Sequence, residues 1–300
     1  MENELIIMVG APGSGKDTII KENYFENYEV ISSDEIRKEL YGFEDQTHNK
    51  EVFETMRLRT IGAGRSGKNV IYNATNLNRK RRVNLASEMK KYFKKTKLCV
   101  IICSIPELFR RNETREERHL PKEKLMDLLK GFQVPTDKEF PYDEIEYYNT
   151  SPDTNITALS YLYKLNSYDQ HNPHHNETLG LHIQRVALAC MSNPKAFIAA
   201  LYHDLGKPFV RTKDEQGYYH YIGHEGISTY LYIADLMNSI NEEVENDLDI
   251  ALMIEFHDYI FSFDGNFEHM KEKMNNKFEG LDEEFWNGMK LLIEADRLRG

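Results

Sequence analysis

Three hundred residues are enough for about two domains with separate cores, and the apolar and charged fractions (40% and 29%) are those of a water-soluble protein. No apolar run approaches the roughly 20 residues that span a bilayer, and no basic stretch leading into an apolar segment marks a secretory leader, so membrane partners and export are not expected. The net charge of −11 is unevenly spread: residues 1–150 carry 26 Lys+Arg against 25 Asp+Glu, residues 151–300 carry 12 against 24, and nine of the eleven histidines lie in the second half. Overall acidity argues against nonspecific coating of nucleic acid but leaves room for a local basic groove.

In the first half, apolar runs at 5–9, 28–32, 70–73, 98–103 and 143–148 predict strands. Segments 16–24, 34–41, 49–64, 79–94, 106–116 and 121–131 predict helices. This alternation predicts an α/β domain, a parallel sheet flanked by helices. Pro135, Pro141 and Asn149–Asp153 break it, which places a boundary near 149–158 and domains at 1–150 and 151–300. The second half predicts an all-α domain, with helices at 157–166, 180–191, 194–205, 223–239, 242–259 and 281–298 and a loop or small hairpin at 217–222. Cys99, Cys103 and Cys190 match neither a zinc pattern nor a disulfide framework, which suggests buried thiols in a reducing, cytoplasmic setting.

The run Gly10-Ala-Pro-Gly13-Ser14-Gly15-Lys16 follows the first strand and opens a helix, the context a phosphate-cradling P-loop requires. Its glycines let backbone N–H groups face phosphate oxygens, the helix adds its positive end, and Lys16 reaches the outer phosphates. ATP or another NTP with Mg2+ is the expected ligand. The hydroxyl usual after the lysine is replaced by Asp17, with Thr18 next; either can serve magnesium, or Asp17 can be a carboxylate favoured by the helix dipole.

Further motifs resemble the phage and bacterial polynucleotide 5′-hydroxyl kinases over nearly all of residues 1–150. Ser33-Asp34-Glu-Ile-Arg37 matches that family's Asp-x-x-Arg, which implies Asp34 as general base toward the acceptor hydroxyl and Arg37 as a clamp on the acceptor phosphate. The plain alternative is a helix cap with a solvated arginine. Asn73-Ala-Thr-Asn-Leu-Asn78 resembles the acceptor loop, although the best-known phage member has aspartate where this chain has Ala74. Arg79-Lys-Arg-Arg82 reads either as a nucleic-acid track or as an exposed helix face. Arg111 and Arg115, four apart, match the family's lid arginines that contact ATP phosphates; ion pairs with Glu113, Glu116 and Glu117 are the structural alternative.

Downstream, His182, His203-Asp204 and Asp296 form an H…HD…D pattern that resembles the HD phosphohydrolase superfamily, whose members bind divalent metal through such residues. His224 and His257 fall where two-metal members carry further ligands, so one or two ions are expected, with Mn, Fe, Ni, Co and Zn undistinguished. Asp258 is an alternative ligand and His220 a rim residue; His171, His174 and His175 read as supporting groups. Lys207 and Arg185 are candidate phosphate-binding cations, with a surface salt bridge as the alternative, for Arg185 above all; Asp249 and Glu255 carry no assignment.

Together these resemblances imply a bifunctional enzyme that heals RNA or DNA ends, RNA foremost, in a bacterial or phage-infected cell. It would place a phosphate on a 5′-hydroxyl and remove a 2′,3′-cyclic or 3′-phosphate, with a ligase acting downstream. Bacterial enzymes that join the two modules usually carry the HD module first; the order here is reversed. A nucleoside or nucleotide kinase joined to an HD nucleotidase, and an ATP-sensing module on an HD hydrolase, are the alternatives.

Overall fold

The structure, a computed structural model, describes residues 3–24, 26–42, 47–115, 119–152, 157–172, 176–239 and 244–298. By its internal contacts the chain divides into two compact units: residues 1–125 with 139–151, and residues 126–138 with 152–300. His174, His175, Glu116 and Glu117 lie outside the described residues.

The first unit is a five-stranded sheet of β1 (Glu4–Val9), β2 (Glu29–Ser32), β3 (Val70–Asn73), β4 (Lys95–Ile102) and β5 (Glu144–Asn149). The order is β2-β3-β1-β4-β5 and every pairing is parallel. The central strand β1 reads as an unbroken apolar run because helices cover both sheet faces; Leu5 to Val9 have no solvent exposure. Edge strand β5 mixes two glutamates with Ile145, Tyr147, Tyr148 and Asn149 instead, and its residues are half-buried. The intervening helices are α1 (Lys16–Asn23), α2 (Ser33–Tyr41), α3 (Asn49–Arg65), α4 (Arg79–Met89) and α5 (Ile105–Glu113), while α6 (Lys122–Lys130) spans the division between the units. Parallel pairing brings the carboxyl ends of the strands to one edge of the sheet, where Ser32 is in register with Asn73.

The basic run at 79–82 proves to be divided. Lys80 and Arg81 are exposed, but Arg79 and Arg82 are buried and both pair with the fully buried carboxylate of Glu139. Arg82 also donates to the carbonyls of Asn76 and Leu77 at 3.1 and 2.8 Å. Half of the expected nucleic-acid track is therefore an internal fastening of the loop before α4.

Among its described residues the second unit is helical apart from one two-stranded hairpin. It comprises a 3-10 helix (Ala158–Ser167), α7 (Leu179–Ala189), α8 (Pro194–Tyr202), α9 (Lys207–Val210), the hairpin β6 (Thr212–Lys213) and β7 (Tyr219–His220), and α10 (His224–Ser239). It continues with α11 (Val244–Phe256), a second 3-10 helix (His257–Phe263), α12 (Phe267–Asn275) and α13 (Glu283–Arg297). Thr178, Asn193 and Asp282 cap α7, α8 and α13 by accepting from Leu181, Ala196 and Phe285 backbone N–H groups. The segment 126–138 is bound into this unit. Val134 donates its N–H to Glu255 at 2.9 Å, Lys138 pairs with Asp249, and Glu279 donates its N–H to the Lys138 carbonyl at 2.9 Å. A Cβ on Gly226 would stand 2.3 Å from the Lys130 carbonyl oxygen, so only glycine admits this approach. Among the described residues, no helix is long and apolar enough to cross a membrane.

Removing one partner of a buried ion pair leaves the other charge uncompensated. Glu139→Ala is expected to destabilise the first unit by about 3–5 kcal/mol, read from the shift in denaturant midpoint. A shift of less than about 1 kcal/mol would show that Arg79 and Arg82 find other partners or reach water.

Candidate functional site

Each unit carries a cluster of polar and charged side chains. In the first, the chain leaves β1 and turns through the P-loop into α1. Gly13 and Gly15 have φ of 85° and 94°, left-handed values that favour glycine. A Cβ on Gly10 would lie 2.5 Å from Ser14 Oγ and 2.9 Å from the Ile101 carbonyl oxygen, so the loop packs against β4 with no space for a side chain. Ser14 Oγ is buried without a hydrogen-bond partner among the described residues. Lys16 Nζ donates to the carbonyls of Gly10 and Ala11, both at 2.9 Å. Burial lowers its pKa to about 8, against the opposing charges of Asp17 and Asp34 and with a further push from Arg115. Asp17 and Thr18 are exposed at the start of α1, and Asp17 Oδ1 accepts from Asn73 Nδ2 at 2.9 Å.

Asp34 lies in the first turn of α2, its Oδ1 3.1 Å from Arg37 Nη1. Arg37 is buried, and its second guanidinium nitrogen donates to Asn49 Oδ1 at 2.6 Å. Asp34 is thus held by an arginine that is itself held, which excludes the reading of Arg37 as a solvated side chain.

The two lid arginines part company. Arg111 donates to Glu107 at 2.7 Å, to the Gly13 carbonyl at 3.2 Å and to Thr150 Oγ1 at 3.1 Å. Glu107 is held down to about 2 by its hydrogen bonds from Arg110, with burial opposing and Arg111 assisting. Arg111 therefore ties α5 and the end of β5 to the P-loop. The Arg115 guanidinium makes no hydrogen bond or ion pair with the described residues, yet lies close enough to Lys16 to lower its pKa. Asn73, Asp17, Asp34, Lys16 and Arg115 are all associated with the carboxyl edge of the sheet, where ligands bind in open α/β folds.

In the second unit, five elements deliver imidazoles and carboxylates to one buried centre. α7 supplies His182, the end of α8 supplies His203 and Asp204, α10 opens with His224, the turn after α11 supplies His257, and α13 supplies Asp296. Asp204 stands in the middle. Its Oδ2 is 3.2 Å from His182 Nε2 and 3.4 Å from His203 Nε2, and its Oδ1 is 3.1 Å from His224 Nε2 and 3.9 Å from His257 Nε2. Asp296 Oδ1 lies 2.9 Å from His182 and 3.4 Å from His203. The donor atoms of His182, His203, Asp204 and Asp296 fall within 4.8 Å of one another, and so do those of Asp204, His224 and His257. Asp258 is half-exposed beside His224 and His257, at 3.6 and 3.7 Å.

Two observations show that this donor set fits a divalent metal. First, His203, His224 and His257 direct Nδ1 at the backbone carbonyls of Ala200, Tyr221 and Ile254, at 2.7, 2.9 and 2.7 Å. A carbonyl only accepts, so Nδ1 carries a proton and it is Nε2 that presents a lone pair to the centre when the imidazole is neutral, the arrangement of ligating histidines. Second, Asp204 Oδ2 is buried and, although Lys207 Nζ approaches to 2.7 Å, meets hydrogen-bond geometry with no described group. The same carboxylates also hold protons on the imidazoles. Burial opposes a charge on His203, but Asp204 and Asp296 overcome it and push the imidazole up to about 10; against the same opposition His182 is raised by these two carboxylates and His224 by Asp204 and Asp258. Asp204 is held well below the usual carboxylate range, with burial opposing and Lys207 the strongest favourable charge.

Gly206 makes the geometry possible: a Cβ there would lie 2.2 Å from the His224 carbonyl oxygen. Arg185 takes the ion-pair alternative. It donates to Glu177 at 2.8 Å and the Ala295 carbonyl at 3.0 Å, and stands 3.0 Å from His182 Nδ1, so it braces the outer side of a ligand rather than facing a phosphate. Lys207 is buried against Asp204 and donates to Gln170 Oε1 at 3.1 Å. Sequence reasoning passed over Gln170, which is fully buried; its one signal was its place two residues after Tyr168 in an otherwise polar stretch. His220 pairs with Asp214 on the exposed hairpin, and His171 is exposed.

Comparison with known proteins bears on the first unit. Residues 5–135 match the AAA domain family, consistent with the P-loop at the head of β1 and α1. Among solved structures, a chain of the Pnkp1/Rnl/Hen1 RNA repair complex is similar at 22% identity over 41% of this chain, with a TM-score of 0.38. This chain spans 42% of that one. A putative kinase from Chloroflexus aurantiacus J-10-fl is similar at 16% identity, over 50% of this chain and 87% of that one, with a TM-score of 0.41. A fungal RNA kinase is similar at 14% identity, over 52% of this chain and 40% of that one, with a TM-score of 0.38. The first unit is a P-loop domain.

Protons and metal compete for the same imidazoles, so metal affinity is expected to rise with pH across the neutral range, with proton release on binding measured by titration in two buffers. In metal-stripped protein the sign for stability is opposite. The raised His203 contributes fully below its ordinary value of 6.5 and loses that contribution as pH rises toward about 10. The depressed Asp204 contributes above its ordinary 3.8 and loses as pH falls below it. Metal-stripped protein that gained thermal stability between pH 7 and 10 would refute this charge arrangement.

Proposed function

We propose that this chain is a two-activity end-healing enzyme for nucleic acid, RNA foremost: an ATP-dependent 5′-hydroxyl polynucleotide kinase and a metal-dependent phosphohydrolase of the HD type, acting on 2′,3′-cyclic phosphate or 3′-monophosphate ends. The observation that carries it is the presence on one chain of a P-loop with a carboxylate–arginine pair at the same sheet edge and of a buried His4Asp2 cluster suited to divalent metal. A kinase and a phosphohydrolase working on the same molecule's opposite ends convert a 5′-hydroxyl and a 3′-phosphate into the pair of ends that a ligase consumes.

In the kinase, Gly10, Gly13, Ser14 and Gly15 shape the cradle, and the N–H groups at the start of α1 face the nucleotide phosphates. Magnesium would be held by Thr18 or Asp17 and would offset charge on the nucleotide phosphates. Asp34 accepts the proton of the attacking 5′-hydroxyl, oriented by Arg37, which also offers charge to the acceptor phosphate. Lys16 and Arg115 neutralise charge on the transferred group, and Arg111 keeps the loop in place from behind. Because phosphoryl transfer depends chiefly on positioning and charge stabilisation, such arginines contribute about 10³–10⁵ in rate where an arginine finger was measured.

In the phosphohydrolase, His182, His203, Asp204 and Asp296 would hold one ion, and His224, His257 and the second oxygen of Asp204 another, with Asp258 available at the rim. Divalent metal there supplies Lewis acidity toward a phosphate oxygen and activates water for attack. The chain's own groups set the rest. Asp204 offers one oxygen to each side, the backbone carbonyls fix the histidine tautomers, and Lys207 places a positive charge beside the reacting phosphate.

The test is an RNA oligonucleotide bearing a 5′-hydroxyl and a 2′,3′-cyclic phosphate, incubated with ATP, magnesium and manganese, with both ends read by mass. The expected result is a gained 5′-phosphate and a lost cyclic phosphate. Asp34→Asn should abolish the first and spare the second; Asp204→Ala should do the reverse. Turnover of mononucleosides or mononucleotides with untouched oligonucleotide ends would replace this reading with nucleotide metabolism.

A further inference from the structure

A ledge of aromatic and basic side chains lies beside the metal cluster, within the same unit, and neither reading of the metal site uses it. Hairpin β6–β7 is fastened to the strap at 168–172. The Tyr219 N–H donates to the His171 carbonyl at 3.1 Å and Asn172 Nδ2 donates to the Tyr219 carbonyl at 2.8 Å. Arg211 lies over the Tyr219 ring at 4.6 Å and near the Tyr168 ring at 5.7 Å. The His171 ring centroid stands 5.4 Å from that of Tyr219 and 6.3 Å from that of Tyr218. These rings are not core. Tyr218 is 41% exposed, Arg211 and His171 are exposed, and Tyr168 and Tyr219 are half-buried.

The ledge is wired to the cluster. Tyr221, which follows the hairpin, donates its hydroxyl to the Gln170 carbonyl at 2.8 Å; the Gln170 side chain accepts from Lys207 at 3.1 Å; Lys207 pairs with Asp204 at 2.7 Å. His171 is the next residue after Gln170, and consecutive Cα atoms are about 3.8 Å apart, so the exposed rings begin one residue from the partner of the site's lysine. Tilted aromatic rings beside a guanidinium, several of them exposed, form a surface on which a flat aromatic ligand stacks without regard to sequence. The hairpin carries Arg211 and Lys213 against Asp214 and Glu215, so it is less acidic than the second half as a whole.

We propose that this ledge is a nucleobase-binding subsite of the metal centre, so that the phosphohydrolase takes phosphate esters that carry a base and discriminates against base-free ones. The inference rests on the metal cluster being a phosphohydrolase. The base arrives either on a mononucleotide or on the end of a strand, and the chemistry of stacking is common to both.

The test uses the full chain loaded with manganese, its P-loop saturated with a non-hydrolysable ATP analogue. Three substrates are compared: a nucleoside 2′,3′-cyclic phosphate, a dinucleotide ending in one, and the base-free methyl riboside cyclic phosphate. Arg211→Ala combined with Tyr218→Ala should raise KM for the base-bearing substrates about tenfold, as expected for loss of one stacking contact, with little change in kcat or metal content. The base-free substrate should be unaffected. Equal effects on all three, or none on any, would overturn the subsite. An effect on the dinucleotide alone would place the penultimate base on the ledge and support a strand substrate; an effect on both would place the terminal base there. If the wild type hydrolyses none of the three, the phosphohydrolase reading fails separately. Isothermal titration with a nucleoside 3′-monophosphate and with ribose 3-phosphate then decides the ledge: it stands if the nucleotide binds the wild type about tenfold more tightly than the variant, and falls if the two proteins bind alike.

Discussion

A carboxylate buried with no charge to answer it is among the costliest things a protein interior can contain, and the second unit is arranged around one that is answered several times over. Asp204 is nearly inaccessible, yet each of its oxygens faces two imidazoles and a lysine closes on one of them. To bring those partners together, helices that are distant in sequence must end or begin at the same point. The tight turn at Gly206, the caps on α7, α8 and α13, and the carbonyls that orient three imidazoles all serve that convergence.

The first unit meets a different constraint. An all-parallel sheet sends every strand in one direction, so its loops after the strands gather at one edge and its polar side chains can meet there. The fastening is stringent: the glycine-only contacts at Gly10, the buried Arg37 behind Asp34, and Arg111 spanning α5, β5 and the loop. Side chains committed to such bracing are spent on position. Among the described residues, the Arg115 guanidinium and the buried Ser14 hydroxyl are the groups here left with unused hydrogen-bonding capacity.

Much of this was legible in the sequence because it is local. Strand and helix boundaries in the first half agree with the structure to within a few residues, since period and punctuation are properties of short windows. The pattern His182, His203-Asp204, Asp296 announced itself by residue type and order, and the P-loop by glycine spacing. What escaped depends on distant partners. Arg79 and Arg82 look like any exposed basic run until Glu139 is found beneath them. Arg185 looks like a phosphate clamp until Glu177 and the Ala295 carbonyl claim it. Gln170 gains meaning only from Lys207 and Tyr221. The stretch 158–167 has helical spacing but forms a 3-10 helix with no buried residue, and α12, short and rich in charge, left no periodic signal strong enough to register.

The passage of residues 126–138 into the second unit makes the two units interleaved in chain order. The stretch that answers Glu255, Asp249 and the Glu279 N–H is synthesised before β5, the last strand of the first unit. No single cut of the chain can therefore separate the units intact. A fragment that begins after β5 loses the Val134 N–H from Glu255 and the Lys138 ammonium from Asp249, which keeps Lys195 at 3.1 Å. A fragment that begins before residue 126 carries a strand that belongs to the other unit's sheet. Joining or parting these units by a single exchange of chain would therefore disturb one of them.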